Sequence, residues 1–220
     1  MSDTRLDEIA GDLADGLRGS LGGRNARLFV TLKRLLVNGR PVRHEQVAEM
    51  LGIPRGEVEA ALRQLPSVEY DRDGNLVGSG LTLNPTPHRF EVDGRELFTW
   101  CALDTLFFPA ILAQTARVSS SCHASGDEIH LTIRPDGVED LTPPGAVVSI
   151  VVPEAEEACC DVRGAFCNDV HYFRSSGDAS EWLSAHPDGI VLSVDEAFEV
   201  GRGVVELLFR ATLDLMGTTV

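Results

Sequence analysis

The sequence predicts an α+β protein in which a winged-helix-like helical module precedes a domain built on a mixed or antiparallel sheet. The first third of the chain carries apolar residues at helical spacing, whereas the rest alternates short β-branched runs with Gly-rich, Pro-rich and acidic loops. Between the two parts, the segment NPTPHRF contains two prolines, which favour a domain boundary. We therefore expect a helical N-terminal domain over residues 1–84 and an α+β domain over residues 85–220.

The N-terminal domain is expected to hold four helices followed by a β-hairpin. Apolar residues three and four positions apart indicate the first two helices, and Asn38-Gly39 ends the second. Two short helices then flank the turn at 52–54, as in a helix-turn-helix. The segment VEYDRDGNLVGSGLTL predicts two strands around Asp73-Gly74. Helices followed by such a hairpin have the order of a winged-helix module.

The second domain is expected to combine short strands with three helices. Apolar residues over 100–112 indicate a helix, which Pro109 should kink or end. Two further helices are expected at 179–185 and 204–215. The predicted strands lie at 116–120, 129–133, 147–152, 170–173 and 190–193.

The net charge of −15 lies entirely in the second part of the chain. Residues 1–89 contain 12 basic and 12 acidic side chains, whereas residues 90–220 contain 7 and 22. Proteins that bind nucleic acids or anionic membranes neutralise phosphates with clustered Lys and Arg, so we expect neither partner. The N-terminal residues do not resemble a signal peptide, and no apolar run approaches the roughly 20 residues of a membrane span. We therefore expect a cytoplasmic protein.

Cysteines are the residues most suited to chemistry. An odd number of cysteines without an export signal argues against a disulfide framework, so free thiols, metal ligands or nucleophiles are expected. Structural zinc normally shows closely paired ligands, and no such template results even if His123 and His171 are recruited. The five cysteines are Cys101, Cys122, Cys159, Cys160 and Cys167.

The segment WCALDTLFFPA places a thiol and a carboxylate together on an otherwise apolar helix. Cys101 and Asp104 are three positions apart and should share a helix face. A buried carboxylate needs a partner or a proton, so Asp104 could take part in proton transfer. By itself the segment fits a structural interpretation better, in which Cys101 is a small core residue and Asp104 caps a neighbouring group.

The other cysteines leave alternatives open when they are considered one by one. Cys167 precedes a predicted strand, and it could be a half-buried strand residue or a ligand. Cys122 follows a predicted strand, and a packing role is expected. Cys159 and Cys160 lie in the acidic segment EEACCDVRG, where we expect exposed thiols that are reactive but not catalytic.

The combination of WCALDTLFFPAIL, TARVSSSCHASG and DVRGAFCNDVHYF resembles the alkylmercury lyases of bacterial mercury-resistance systems. This resemblance extends over nearly the whole chain and includes the hairpin segment. It implies that Cys101, Asp104 and Cys167 are catalytic, that Cys122 is structural, and that a winged-helix-like part precedes a mixed-sheet domain. Some relatives have a cysteine where this chain has Asn168.

The pair Cys159-Cys160 is a further departure from the family pattern. It could serve as an auxiliary mercury relay, or it could bind mercury unproductively.

The implied reaction suits these side chains. A thiolate is the matching ligand for the soft mercury cation, but a free thiol near neutral pH is mostly protonated. One thiol could pass its proton to Asp104, which would then protonate the carbon bound to mercury. The product Hg²⁺ would stay on Cys101 and Cys167, with Asp104 as a third contact, and no organic cofactor is required. The expected partners are an organomercurial substrate, low-molecular-weight thiols and a mercuric reductase.

Two other functions remain as alternatives. The helix-turn-helix could belong to a DNA-binding mercury or redox sensor, although its second helix, PRGEVEAALRQL, has only two arginines against two glutamates. A non-catalytic relative could instead bind soft cations without releasing a hydrocarbon.

Overall fold

The computed structural model describes residues 1–217, and within that range the chain forms nine α-helices and eleven strands. The helices are α1 (Asp3–Leu21), α2 (Arg24–Leu36), α3 (His44–Leu51), α4 (Arg55–Leu62), α5 (Ala102–Leu112), α6 (Ala155–Ala158), α7 (Val162–Ala165), α8 (Ser180–Ala185) and α9 (Val194–Leu215). The strands are β1 (Glu69–Tyr70), β2 (Leu76–Ser79), β3 (Leu81–Thr82), β4 (His88–Val92), β5 (Arg95–Thr99), β6 (Ala116–Ser121), β7 (Glu128–Arg134), β8 (Gly137–Thr142), β9 (Val147–Ile150), β10 (Tyr172–Phe173) and β11 (Ile190–Ser193). None of the helices in this range combines the length and apolar character needed to span a bilayer.

Eight strands form one antiparallel sheet that joins the N-terminal hairpin to the second part of the chain. Their order is β1-β2-β3-β5-β4-β6-β7-β8, and a separate sheet has the order β10-β9-β11. The junction is the pairing of β3 with β5, which sets Leu81 opposite Thr99. Strand β8 was not predicted, because its acidic and largely exposed residues lack apolar alternation. The α+β class is confirmed, with antiparallel pairing throughout the described strands.

The hairpin contains three strands where the sequence predicted two. The additional reversal lies at Gly80, which joins β2 to β3 with a φ of +75°. A Cβ atom at this position would lie 2.8 Å from Cζ of Phe108, so a larger residue has neither the backbone conformation nor the space. This tight reversal turns β3 toward β5 and places Ser79 and Gly80 against the interior of the protein.

Helix α5 is buried along its whole length, between α9 and the large sheet. Of the two outcomes expected at Pro109, a kink or an end, the end does not occur: the helix continues to Leu112 before Ala113 adopts a left-handed conformation. A proline removes one backbone hydrogen bond, and packing on both sides of α5 outweighs that loss.

Helix α9 begins at Val194, earlier than the predicted start at 204. Ser193 and Glu196 form a capping box that starts the helix there. Gly201 and Gly203 weaken the helical pattern in the sequence, yet a Cβ on Gly201 would lie 3.3 Å from Phe107 of α5. The glycine therefore allows α9 to approach α5 closely.

Glu69 of β1 connects three segments of the chain. Trp100 donates from Nε1 to Glu69 Oε1 at 3.1 Å, and Arg163 of α7 forms an ion pair with the same oxygen. The guanidinium of Arg163 lies 5.2 Å from the centre of the Trp100 ring. Asn84 donates to the other carboxylate oxygen at 3.0 Å. Glu69 thereby connects the hairpin to α7 and to the segment that precedes α5.

Replacing Glu69 with Ala should lower the free energy of unfolding by about 1–3 kcal/mol, because Trp100 and Arg163 would lose their shared acceptor. Urea denaturation measures this loss. Glu8→Ala is the matched control, since it removes an exposed pair with Arg5 on α1 and should cost less than about 0.5 kcal/mol. Equal stability of the two variants would contradict the connecting role of Glu69.

Candidate active site

Cys101, Asp104 and Cys167 meet in the interior of the protein. One ligand atom from each side chain lies within 4.8 Å of the other two, and all three residues are buried. Within residues 1–217 they form the one group of three His, Cys, Asp or Glu side chains at that spacing. The tertiary structure therefore brings together the three residues that the sequence singled out.

Backbone hydrogen bonds hold the two cysteine segments side by side. The residue before Cys101 donates its N–H to the carbonyl of Gly80 at 2.9 Å. The residue after Cys101 donates to the carbonyl of Val170 at 3.1 Å, three positions beyond Cys167. Cys101 is thus fixed between the tight reversal of the hairpin and the segment that carries the second thiol.

The local conformations differ from those predicted. Cys101 precedes α5 in an extended conformation, with φ −143° and ψ 171°, and Asp104 is the third residue of the helix. Cys167 begins a 3-10 turn, Cys167–Asp169, and the following strand starts only at Tyr172. Its side chain is buried and is not that of a half-buried strand residue.

A narrow, largely apolar cavity of about 20 Å³ lies at this group. Such a volume holds about one water molecule. Asp104 and Cys167 line it, whereas Cys101 is not among the described residues that do so. The remaining lining comes from helices α1, α2, α5, α7 and α9 and nearby loops, and it includes Leu17, Leu21, Phe29, Ser79, Gly80, Leu103, Phe107, Val162, Phe166, Val204 and Phe209.

Asp104 is suited to holding a proton. Its Oδ2 atom is buried without a hydrogen-bond partner among the described residues. Burial raises the pKa of Asp104 to about 6, because the charged form loses its hydration. The positive charge of Lys33 and hydrogen bonding with Cys101 oppose this rise.

The two thiols are in unequal environments. Burial raises the pKa of Cys101 well above its ordinary value, and its hydrogen bond to Cys167 and the charge of Asp104 raise it further. The hydrogen bond from Cys101 lowers the pKa of Cys167, but burial and Asp104 make the net change upward. Because Arg163 and Lys33 also favour the anion of Cys167, this sulfur is the more readily ionised of the two.

Lys33 is a residue of this site that the sequence analysis did not identify. It is the only lysine in the chain, and it is fully buried on α2. Its Nζ atom donates to the backbone carbonyl of Ser79 and, at 3.3 Å, to the Ser79 hydroxyl. The same atom lies 3.2 Å from the centre of the Phe29 ring. A single lysine on the predicted apolar face of a helix was the signal that could have revealed it.

Lys33 also shares its environment with the acidic groups of the site. Burial lowers the pKa of Lys33 well below its ordinary value, and the charges of Asp104 and Cys167 oppose this only in part. When Lys33 is protonated, its charge favours the ionised forms of both groups.

The remaining cysteines and the histidines lie outside this group. Cys122 is buried directly after β6, in agreement with the position expected for a packing residue. Cys159 and Cys160 are exposed. The rings of His123 and His171 stack on one another with centres 3.8 Å apart.

Two thiols and a carboxylate buried together at a largely apolar cavity define a class of protein that handles a soft metal cation and moves a proton. A structural zinc site would supply four ligands, and this group supplies three side chains, one of them an Asp without a hydrogen bond on one oxygen.

Comparison with known proteins identifies the family. Residues 81–206 match the alkylmercury lyase family, and residues 8–80 match the helix-turn-helix domain of alkylmercury lyase. The chain is 51% identical to an alkylmercury lyase of Staphylococcus epidermidis over 175 residues, 80% of each chain. It is 46% identical to one of Streptomyces lividans over 94% of this chain and 95% of the relative. The chain belongs to the alkylmercury lyase family, whose members are enzymes.

A solved structure gives the same fold. The mercury-bound form of MerB2 superposes with a TM-score of 0.72, covering 93% of this chain and 99% of that one at 24% identity. At this identity the comparison concerns the fold alone.

The helix-turn-helix formed by α3 and α4 offers little for DNA. Arg55, at the start of α4, forms ion pairs with Glu45 at 2.5 Å and Glu59 at 3.0 Å. An arginine engaged with two carboxylates is poorly placed to contact phosphates. This arrangement favours a structural use of the module over the DNA-binding sensor.

Replacing Lys33 with Met should raise the pKa of Asp104, because the neighbouring charge that opposes the effect of burial is lost. A ¹³C NMR titration of the carboxyl group measures this change. Arg55→Met, which removes an exposed and distant cation, should leave the pKa of Asp104 unaltered. An unchanged Asp104 titration in a folded Lys33→Met protein would show that Lys33 does not act on this carboxylate.

Proposed function

We propose that this chain cleaves the carbon–mercury bond of an organomercurial by protonation, giving a hydrocarbon and Hg²⁺. The catalytic residues would be Cys101, Asp104 and Cys167. The observation that carries the proposal is the meeting of two thiols and a carboxylate within 4.8 Å in a buried apolar cavity.

Cys167 would bind the organomercury cation first. It lines the cavity, and its thiolate is favoured by the Cys101 thiol, Arg163 and Lys33. As the sulfur–mercury bond forms, the low-molecular-weight thiolate that carried the mercurial leaves and takes up the Cys167 proton, because a coordinated thiol is deprotonated. The mercury atom would then be held close to Cys101.

Cys101 would become the second mercury ligand and pass its proton to Asp104. Burial keeps Cys101 protonated before mercury arrives, and Asp104 is ionised at neutral pH with a pKa of about 6. Coordination reverses the order of acidity, so the proton moves from sulfur to the adjacent carboxylate. After this transfer, Asp104 is protonated and can act as the acid.

Asp104 would then protonate the carbon atom. Two thiolates donate electron density to mercury, which weakens the mercury–carbon bond, and the electron pair of that bond accepts the proton. The hydrocarbon leaves, and Hg²⁺ remains on Cys101 and Cys167 with Asp104 as a possible third contact. No organic cofactor is needed for these steps. Low-molecular-weight thiols or a mercuric reductase of the cytoplasm would remove the ion.

The two domains proposed, 1–84 and 85–220, would contribute to one site. Leu17 and Leu21 of α1 and Phe29 of α2 line the cavity together with residues of the second domain. The N-terminal domain would therefore exclude water, which strengthens the electrostatic interactions on which proton transfer depends.

Hydrocarbon release from phenylmercury should fall at least about 100-fold in Cys101→Ser, Cys167→Ser and Asp104→Asn, because each change removes a ligand or the acid. Headspace chromatography of benzene in the presence of excess thiol measures the rate. Cys160→Ser, which changes an exposed thiol, should keep full activity under these conditions. Full activity in any of the first three variants would refute the proposed roles.

The same assay distinguishes the non-catalytic alternative. A wild-type chain that retains Hg²⁺ but releases no benzene would be a soft-metal-binding relative and not a lyase.

The value of kcat/KM should fall about tenfold for each pH unit below the pKa of Asp104, which burial raises to about 6. Below that pH, Asp104 already carries a proton and cannot accept the proton of Cys101. Steady-state rates of benzene release between pH 4.5 and pH 8 provide the test, within the range in which circular dichroism shows a folded protein. A constant kcat/KM across pH 6 would exclude Asp104 as the proton acceptor.

A further inference from the structure

Cys159 and Cys160 form a pair of thiols at the protein surface. Their sulfur atoms lie 3.4 Å apart, and both residues are exposed. The Cys159 thiol also donates to the carbonyl of Glu156 at 3.0 Å. Neither side chain packs in the core, so the pair is presented to solvent.

The pair lies on the outer side of the segments that close the catalytic cavity. A Cβ atom on Gly19 of α1 would be 4.0 Å from the Cβ atom of Cys159. Two positions to either side of Gly19, Leu17 and Leu21 line the cavity. The chain that follows Cys160 enters α7, whose first residue, Val162, lines the same cavity.

The chemistry of the pair suits a soft cation. Thiolates bind soft metal ions in preference to hard ones, and two thiolates satisfy the linear coordination that Hg²⁺ favours. Glu156, Glu157 and Asp161 neighbour the pair in the chain and give this segment negative charge, which attracts a cation. Linear coordination needs the sulfurs farther apart than 3.4 Å, and because both side chains are exposed, rotation about their χ1 bonds can separate them without disturbing the core.

We propose that Cys159 and Cys160 form a second mercury-binding site, which accepts Hg²⁺ leaving Cys101 and Cys167. The acceptor role rests on the proposed lyase activity, whereas the binding of Hg²⁺ does not.

The transfer is an exchange of ligands without oxidation or reduction. A sulfur–mercury bond forms at one surface cysteine as a bond to one catalytic cysteine breaks, and the exchange then repeats at the second pair of sulfurs. The two protons released by Cys159 and Cys160 are taken up by Cys101 and Cys167. The catalytic thiols are thereby restored for another substrate molecule.

The binding site is tested by the number of Hg²⁺ ions that the reduced full-length chain retains against a stoichiometric amount of a monothiol, well below the excess that removes Hg²⁺ from the catalytic pair during turnover. Native mass spectrometry should count two ions for the wild type and one for Cys159→Ser/Cys160→Ser. The variant Cys101→Ser/Cys167→Ser should also retain one ion, held by the surface pair.

Each single variant, Cys159→Ser or Cys160→Ser, should likewise retain one ion, because binding that resists a monothiol needs both sulfurs. The proposal is overturned if the wild type retains one ion or if either single variant retains two.

The acceptor role is tested by adding phenylmercury in successive single equivalents to reduced protein without any added thiol. The wild type should release about two equivalents of benzene per chain, whereas Cys159→Ser/Cys160→Ser should stop after about one. Equal yields from the two proteins would overturn the acceptor role.

Failure of the lyase activity itself would give a different result. No benzene would then form from either protein, which would remove the acceptor role, while the count of retained Hg²⁺ would still decide whether the second site exists.

Discussion

The burial of four ionisable groups in one small apolar volume is the constraint on which this structure depends. Cys101, Asp104, Cys167 and Lys33 each lose hydration, and each loss alone would favour the neutral form. The lysine charge partly offsets the cost of an ionised Asp104 or Cys167. Protons can therefore move between neighbouring groups of this set at a small cost in free energy. Cleavage of a carbon–mercury bond by protonation requires such a transfer, from a thiol to a carboxylate and then to carbon.

The architecture serves to bring segments distant in the chain to this volume. The reversal at Gly80 directs the hairpin inward, and its carbonyl accepts a hydrogen bond from the residue before Cys101. Glu69 joins the same hairpin to Trp100 and Arg163, so the segments on both sides of the cavity share one carboxylate. Residues of the large sheet thus contact both segments that carry the catalytic cysteines and help to fix the relative position of the two sulfurs.

The small size of the cavity affects both the proton transfers and the binding of a mercurial. A space of about 20 Å³ excludes bulk water, which strengthens charge interactions but leaves no room for a mercurial. The cavity lining includes Leu17 and Leu21 of α1 and Val162 of α7. Cys159 approaches α1 between those two leucines, at Gly19, so the surface thiols lie close to part of the cavity wall.

The sequence by itself determined much of the fold and the three residues of the candidate site. Apolar spacing was sufficient for α1 to α4 and for most strands, and the motifs around Cys101 and Cys167 carried the resemblance to the family. The sequence did not predict the reversal at Gly80, which faces Phe108 of α5, or the early start of α9, where Ser193 and Glu196 form a capping box ahead of the glycines. The convergence of the two sulfurs and the presence of Lys33 beside them were decided only by tertiary structure. Spacing along the chain reports which residues share a helix face or a strand, whereas the distance between remote segments depends on how sheets and helices pack.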